Sequence, residues 1–364
     1  MLERHSASFL FAIVCFQASA TSTAAPVIPE TPAQERLTAE TRRESLRIPD
    51  IQGTNVTQSY QSTWDNPSAE LSDDLKVKLR KFRVLIVPGF LSDAKRYVRV
   101  LEHPFGGKGT PDLTEYFAET VKWLKDNQID YAWVHIQAEQ SPEYNAKIID
   151  DAVKHSPRPA IVLSHSKGGV DTLVALLTGT QIAGWISLDA PFFGSPVADL
   201  VADHSATHWL AKEVLTAMGG SEESLESLKV ETRIAFMQAH EKEVSGLIQD
   251  RHLPMISFAG WKEKKSSWKF DTIFKWTRDI VSDWGYPKND GIVPLESQVL
   301  PGSDYIIVEG IDHLLTVRKS YLLSLDRPKL TQTLLSMIVE KIYAGEQTSY
   351  LRAKLLPSVH FEVD

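Results

Sequence analysis

Residues 161–169 read IVLSHSKGG: an apolar run, a serine between a histidine and a lysine, then two glycines. A serine hydroxyl is a poor nucleophile at neutral pH unless a base lies within hydrogen-bond reach and a third group orients that base. Ser166 is therefore informative only if a histidine and a carboxylate follow it in workable places. Of the 11 histidines, only His313 and His360 lie beyond the next candidate acid. His313 stands in GIDH, directly after the apolar run YIIVE, whereas His360 is in the tail. Asp290 in KNDGIVP is the favoured acid; Asp189 in SLDAP is its rival and Asp312 a weaker one. Asp189 directly continues an apolar run and is expected to organise the neighbouring loop. Such a trio would let a hydroxyl attack a carbonyl, with the histidine taking and returning the proton.

An attacked carbonyl also needs donors for its oxygen. VLIVPGF turns at Pro88-Gly89, where glycine permits close backbone approach, so the N–H of Phe90 is one expected donor and the N–H of Lys167 the other. The Lys167 side chain is expected to be an exposed charge at a helix start. Ser166 as a plain helix N-cap is the alternative reading of the motif.

The elements that must hold these residues are legible in the apolar pattern. Short runs recur at 82–87, 131–136, 160–164, 184–188, 254–259 and 305–309. Near-continuous apolar character over such lengths fits strands buried on both faces, as in a parallel sheet. Helices are expected between them. One follows Asp112, with Glu115 completing a capping signature; one follows Pro142; one covers roughly 331–343. GVDTLVALLTG is helical with Gly179 as its stop, so Ser166 falls in a strand-to-helix turn. Strand and helix in alternation give an α/β fold with right-handed crossovers and ligands at the carboxyl ends of the strands. The small neighbours Ser164 and Gly168 suit a nucleophile elbow, the GxSxG pattern with serine in first place.

Composition narrows the class. The 364 residues are 43% hydrophobic and 24% charged, as in ordinary globular chains. With 47 acidic against 39 basic side chains the formal charge is -8, which argues against nucleic acid as a partner. Residues 1–25 read as a signal peptide: ASFLFAIVCF is apolar, and Ala18-Ser19-Ala20 suits a signal peptidase. Export to the periplasm or beyond is expected, and cleavage would remove the single cysteine, Cys15. Residues 26–75 read as a polar extension, 76–350 as the catalytic domain and 351–364 as a tail. Two insertions, 196–250 and 261–288, are expected to form a cap. Trp261, Trp268, Trp276 and Trp284 in the second would either make an apolar rim touching lipid or pack the cap onto the core. His204 and His208 are four residues apart, but without a third ligand they read as an exposed pair, and no metal or other cofactor is expected.

Four ordered pieces, VPGF, SHSKGG, NDGIVP and GIDH, make the chain resemble the α/β-hydrolase superfamily, and within it bacterial lipases and esterases, over roughly residues 80–345. LDAPFFGSP is similar to the TPHxGS segment of lipases, with Phe192 in the histidine's place. The chain departs from the pattern at Pro88, where a histidine is usual, and at Ser164, where the elbow usually opens with glycine. The resemblance implies a mostly parallel sheet with helices on both faces, a helical cap, and cleavage of small-molecule or lipid carboxylic esters, with transient contact to a lipid surface. An acyltransferase or thioesterase with the same residues, and a binding protein on the same fold, are the alternatives.

Overall fold

Each apolar run becomes a strand, and in the central ones, such as 160–165 and 184–188, every residue is buried between helices on the two faces. The structure, a computed structural model, describes residues 47–66, 72–90, 116–202, 222–263, 274–320 and 324–355. In chain order these form β1 (Thr54–Asn55), α1 (Thr57–Asp65), α2 (Asp73–Leu79), β2 (Arg83–Val87), α3 (Ala118–Asp126), β3 (Tyr131–Trp133), α4 (Pro142–Lys154), β4 (Ala160–His165), α5 (Lys167–Leu177) and β5 (Gly184–Leu188). There follow α6 (Pro196–Ala202), α7 (Glu222–Glu226), α8 (Val230–Ala239), α9 (Glu241–Gln249), β6 (Met255–Trp261), α10 (Lys275–Asp283), a short 3-10 turn (Leu295–Gln298), β7 (Asp304–Glu309) and α11 (Arg327–Leu355).

The seven strands form one sheet in the order β1-β7-β6-β5-β4-β2-β3, and every pairing is parallel. Side chains alternate between its faces. Val84, Ile86, Ile161, Leu163, Ile186 and Leu188 pack with Leu334, Leu335 and Ile338 of α11 and with Trp123 and Leu124 of α3. Leu85, Val87, Val162 and Trp185 pack with Ile149 of α4, Leu173 of α5 and Val244 and Leu247 of α9. The chain leaves β2 for the edge strand β3, then returns to β4 on the other side of β2. Strand order reverses there, which makes the carboxyl ends of β2 and β4 the usual ligand position in such sheets.

Several expectations change. The stretch 47–66, read as part of a polar extension, is folded into the domain: β1 pairs with β7, and Tyr60 of α1 is buried against Phe258. Two polar residues of an edge strand and a nine-residue helix whose buried residue is Tyr60 carry too little apolar period to be seen. Helix α3 begins only at Ala118, after Phe117 in a left-handed conformation; Asp112 and Glu115 lie outside the described residues. The last helix runs beyond 343 to Leu355, into residues read as tail. Helices α8 and α9, expected as cap, cover the sheet beside α5 through Val230, Ile234, Met237, Val244 and Leu247. They form the crossover between β5 and β6, because their apolar faces have the sheet to bury against. Trp261 packs against Ala259, Leu295 and Val299, with Lys288 Nζ 5.0 Å from its ring centroid. The signal-peptide stretch, Cys15, His204, His208, Trp268 and His360 lie outside the described residues.

Candidate active site

β4 delivers the serine. Ser166 follows its last residue directly and has φ 53° and ψ −131°, a conformation that side-chain-bearing residues rarely adopt. Its N–H donates to the Leu188 carbonyl at 2.9 Å, and its own carbonyl accepts from Gly169 at 2.9 Å, which fixes the turn between strand and helix. The glycines are required by space. A methyl group on Gly168 would lie 2.3 Å from the Pro88 carbonyl oxygen, and one on Gly89 would lie 2.7 Å from Ser166 Cβ. Small residues thus let the turn after β2 and the start of α5 close on each other around the hydroxyl. Ser166 sits at the N-cap position, yet its side chain caps nothing.

Instead, Ser166 Oγ lies 2.9 Å from His313 Nε2, and His313 Nδ1 lies 2.7 Å from Asp290 Oδ2. A carboxylate at Nδ1 requires the proton on that nitrogen, which leaves the Nε2 lone pair to accept from the serine O–H. The loop after β7 brings His313, and its N–H donates to the Asp290 carbonyl at 3.0 Å. Asp290 is held by its own turn: Oδ1 accepts from the N–H groups of Ile292 at 2.8 Å and Val293 at 2.7 Å. All three residues are buried, and Ser166 keeps 8% of its surface open. Burial by itself pushes the His313 imidazole down, but Asp290, with smaller help from Asp189 and Asp312, raises it above 6.5 overall.

The other candidates separate cleanly. Asp189 Oδ1 accepts from Gly260 N–H at 3.0 Å and Oδ2 from the Thr316 hydroxyl at 2.7 Å, so it ties the turn after β5 to strand β6 and to the loop that carries Thr316. Burial, and then the charge of Asp290, raise its carboxyl. Asp312 Oδ1 accepts from Leu314 and Leu315 at 3.2 and 3.1 Å and serves its own turn. Phe90 ends the turn after β2 and Lys167 opens α5, and among the described residues no acceptor faces the N–H of either.

The chain matches no protein-family model and no curated protein. Among solved structures it is similar to a metagenomic carboxyl esterase, with TM-score 0.51 and 20% identity over 74% of this chain and 76% of that one. It aligns with a Bacillus licheniformis lipase in mature form at TM-score 0.48 and 18% identity, over 74% and 91% of the two chains. The chain has the α/β-hydrolase fold.

Within this α/β-hydrolase fold the elbow's neighbours differ from the expectation. The Lys167 side chain is fully buried, not exposed: Nζ lies 2.8 and 3.0 Å from the two oxygens of Asp171 and 5.8 Å from the Phe90 ring centroid. Asp171 also accepts from Asn145 Nδ2 at 2.9 Å, and Asn145 clamps Gln137 through both backbone groups. The signal was present as an i, i+4 pair on one helix. Burial pushes the Asp171 carboxyl up to about 6, with Lys167 pulling in the opposite direction. His165 and Tyr116 were also missed. His165 Nδ1 meets the Tyr116 hydroxyl, and its Nε2 lies 2.7 Å from the His313 carbonyl oxygen.

Proposed function

We propose that this chain is a serine hydrolase that cleaves carboxylic esters through an acyl-enzyme. The observation that carries the reading is the unbroken run from Ser166 Oγ through His313 to Asp290, ending on a serine held in an unfavourable backbone conformation. Ser166 Oγ attacks the ester carbonyl as His313 Nε2 takes its proton. Asp290 keeps the imidazole in the required tautomer and stabilises its charged form. The backbone N–H groups of Phe90 and Lys167 receive the negative oxygen, each contributing about a hundredfold to a thousandfold in rate. The tetrahedral species collapses, the alcohol leaves with the proton from His313, and water then repeats the sequence on the acyl-serine. Phe274, whose ring meets His313 edge-on, and Phe90, whose ring lies by Lys167 Nζ, place buried apolar surface close to the trio, which suits an acyl group. The apolar leader at residues 9–16 and the small residues after it support export of the protein.

A fluorophosphonate should label the protein at Ser166, and Ser166→Ala should abolish labelling and lower turnover of p-nitrophenyl esters by about a millionfold. Unchanged ester cleavage in that variant would refute the assignment. A chain-length panel, run with and without detergent, then separates esterase from lipase. A preference for a thioester over the matching oxygen ester would instead favour the thioesterase reading, and transfer of the acyl group to an alcohol or thiol in preference to water the acyltransferase reading.

A further inference from the structure

The histidine before the nucleophile has no part in the chemistry above, yet each of its ring nitrogens is engaged. His165 Nε2 faces the His313 carbonyl oxygen at 2.7 Å, and a carbonyl only accepts, so Nε2 carries the proton. His165 is fully buried, and the nearest carboxylate oxygen, on Asp189, is 4.0 Å away, beyond a hydrogen bond. Burial, reinforced by His313 alongside, holds its pKa well below the usual value, so the ring is neutral. Its Nδ1 lone pair must then accept, and the Tyr116 O–H supplies the proton. The Tyr116 oxygen in turn accepts from the Gly89 N–H at 3.2 Å. The donors therefore run in one direction, from Gly89 through Tyr116 and His165 to the backbone of His313.

The ends of this chain are the two parts of the site that must keep their distance. Gly89 precedes Phe90, the expected oxyanion donor, and His313 is the base. The corner that aims Tyr116 is itself built for the purpose: Phe117 has φ 57°, unfavourable for a bulky side chain, and its N–H is bonded to the Val317 carbonyl at 2.7 Å. The Phe117 ring also packs edge-on against His165, with centroids 6.5 Å apart.

We propose that His165 and Tyr116 are positioning residues, a neutral strut that holds the Pro88–Phe90 turn and the His313 loop in register for transition-state stabilisation. This rests on the serine-hydrolase reading. The strut touches neither substrate nor reacting atoms, so its loss acts on turnover rather than on substrate affinity.

The test is Tyr116→Phe, which deletes one oxygen and keeps the ring packing. With p-nitrophenyl butyrate, kcat should fall about tenfold to a hundredfold while KM stays within about twofold, less than deletion of a whole oxyanion donor. His165→Asn should show the same split, and the double variant should lose no more than about twofold beyond the worse single one, because the two act as a unit. A folded Tyr116→Phe protein with kcat within twofold of the parent, or with only KM raised, overturns the proposal, as do losses that multiply independently. Imidazole NMR supplies a second reading that needs no turnover: the His313 Nδ1 proton should shift in Tyr116→Phe, and an unmoved resonance counts against the strut even if the His165 variant does not fold. A parent protein that cleaves no ester and takes no fluorophosphonate would sink the hydrolase reading, and the NMR result would still decide whether the strut couples to His313.

Discussion

Replacing Asp171 by leucine would leave the Lys167 ammonium without a partner in a site where both side chains have no exposure. The pair is bonded at 2.8 and 3.0 Å, and Asn145 Nδ2 would lose one of its two acceptors at 2.9 Å. Breaking one side of such a buried pair costs about 3–5 kcal/mol, including roughly 1 kcal/mol for the amide proton left unpaired. For a domain of this size each kcal/mol moves the melting temperature by about 2–4 °C, so a fall of roughly 6–20 °C is expected. Lys167→Met with Asp171→Leu removes both charges and should recover most of that loss, because apolar replacement of a whole buried pair is often neutral. The double variant should also keep ester turnover, since the proposed mechanism uses only the backbone of Lys167. Lys167→Met alone adds a pH signature. Burial pushes the Asp171 carboxyl from 3.8 up to about 6 in the folded protein, so the stability gained by protonating it is complete below 3.8 and is lost as pH rises through about 6. Without Lys167 the folded value climbs further, so the gap between variant and parent should widen from pH 5 to pH 8. Thermal melts at both pH values measure it. A folded Asp171→Leu protein within about 1 kcal/mol of the parent, or an equal gap at both pH values, would refute the account of a desolvated, mutually dependent pair.

Asp290→Asn should lower turnover on the order of ten-thousandfold, because an amide at this position favours the His313 tautomer that cannot accept the serine proton; steady-state kinetics on a short p-nitrophenyl ester checks it. In the parent, kcat/KM should rise with pH through an inflection above 6.5 and then level off, since His313 must be neutral and the carboxylates raise its pKa despite burial. Asp189→Asn should cost stability through the Gly260 and Thr316 bonds yet leave turnover within about tenfold; a loss as deep as that of Asp290→Asn would transfer the acid's role to Asp189. Gly168→Ala should give little soluble protein, because its methyl meets the backbone oxygens of Pro88 at 2.3 Å and Val87 at 2.6 Å, which no side-chain rotation relieves; soluble yield and a melting curve test it.

Six of the seven strands could be located because each is written as a near-continuous apolar run, most plainly where both faces are covered, as in RVLIV and GWISL. β1 escaped for the opposite reason: Thr54 and Asn55 are polar and pair on one side only. The three residues of the candidate triad were legible through position, since each follows the carboxyl end of a strand or a turn whose residue types are distinctive. The surrounding polar framework was not. Whether Lys167 points to water or into the core depends on what packs over α5, and periodicity does not report that. Tyr116 reads as one more apolar residue of a helix, and only the meeting of three separated segments turns its hydroxyl into a link between Gly89 and His165.

The contorted backbone at Ser166, with φ 53°, makes the proposed nucleophile a thermodynamic burden. Glycine would occupy that geometry without penalty, relieving about 1–3 kcal/mol. Heat-based screens that score survival alone would therefore enrich inert chains over working ones, and any programme to toughen this protein must select for turnover at the same time.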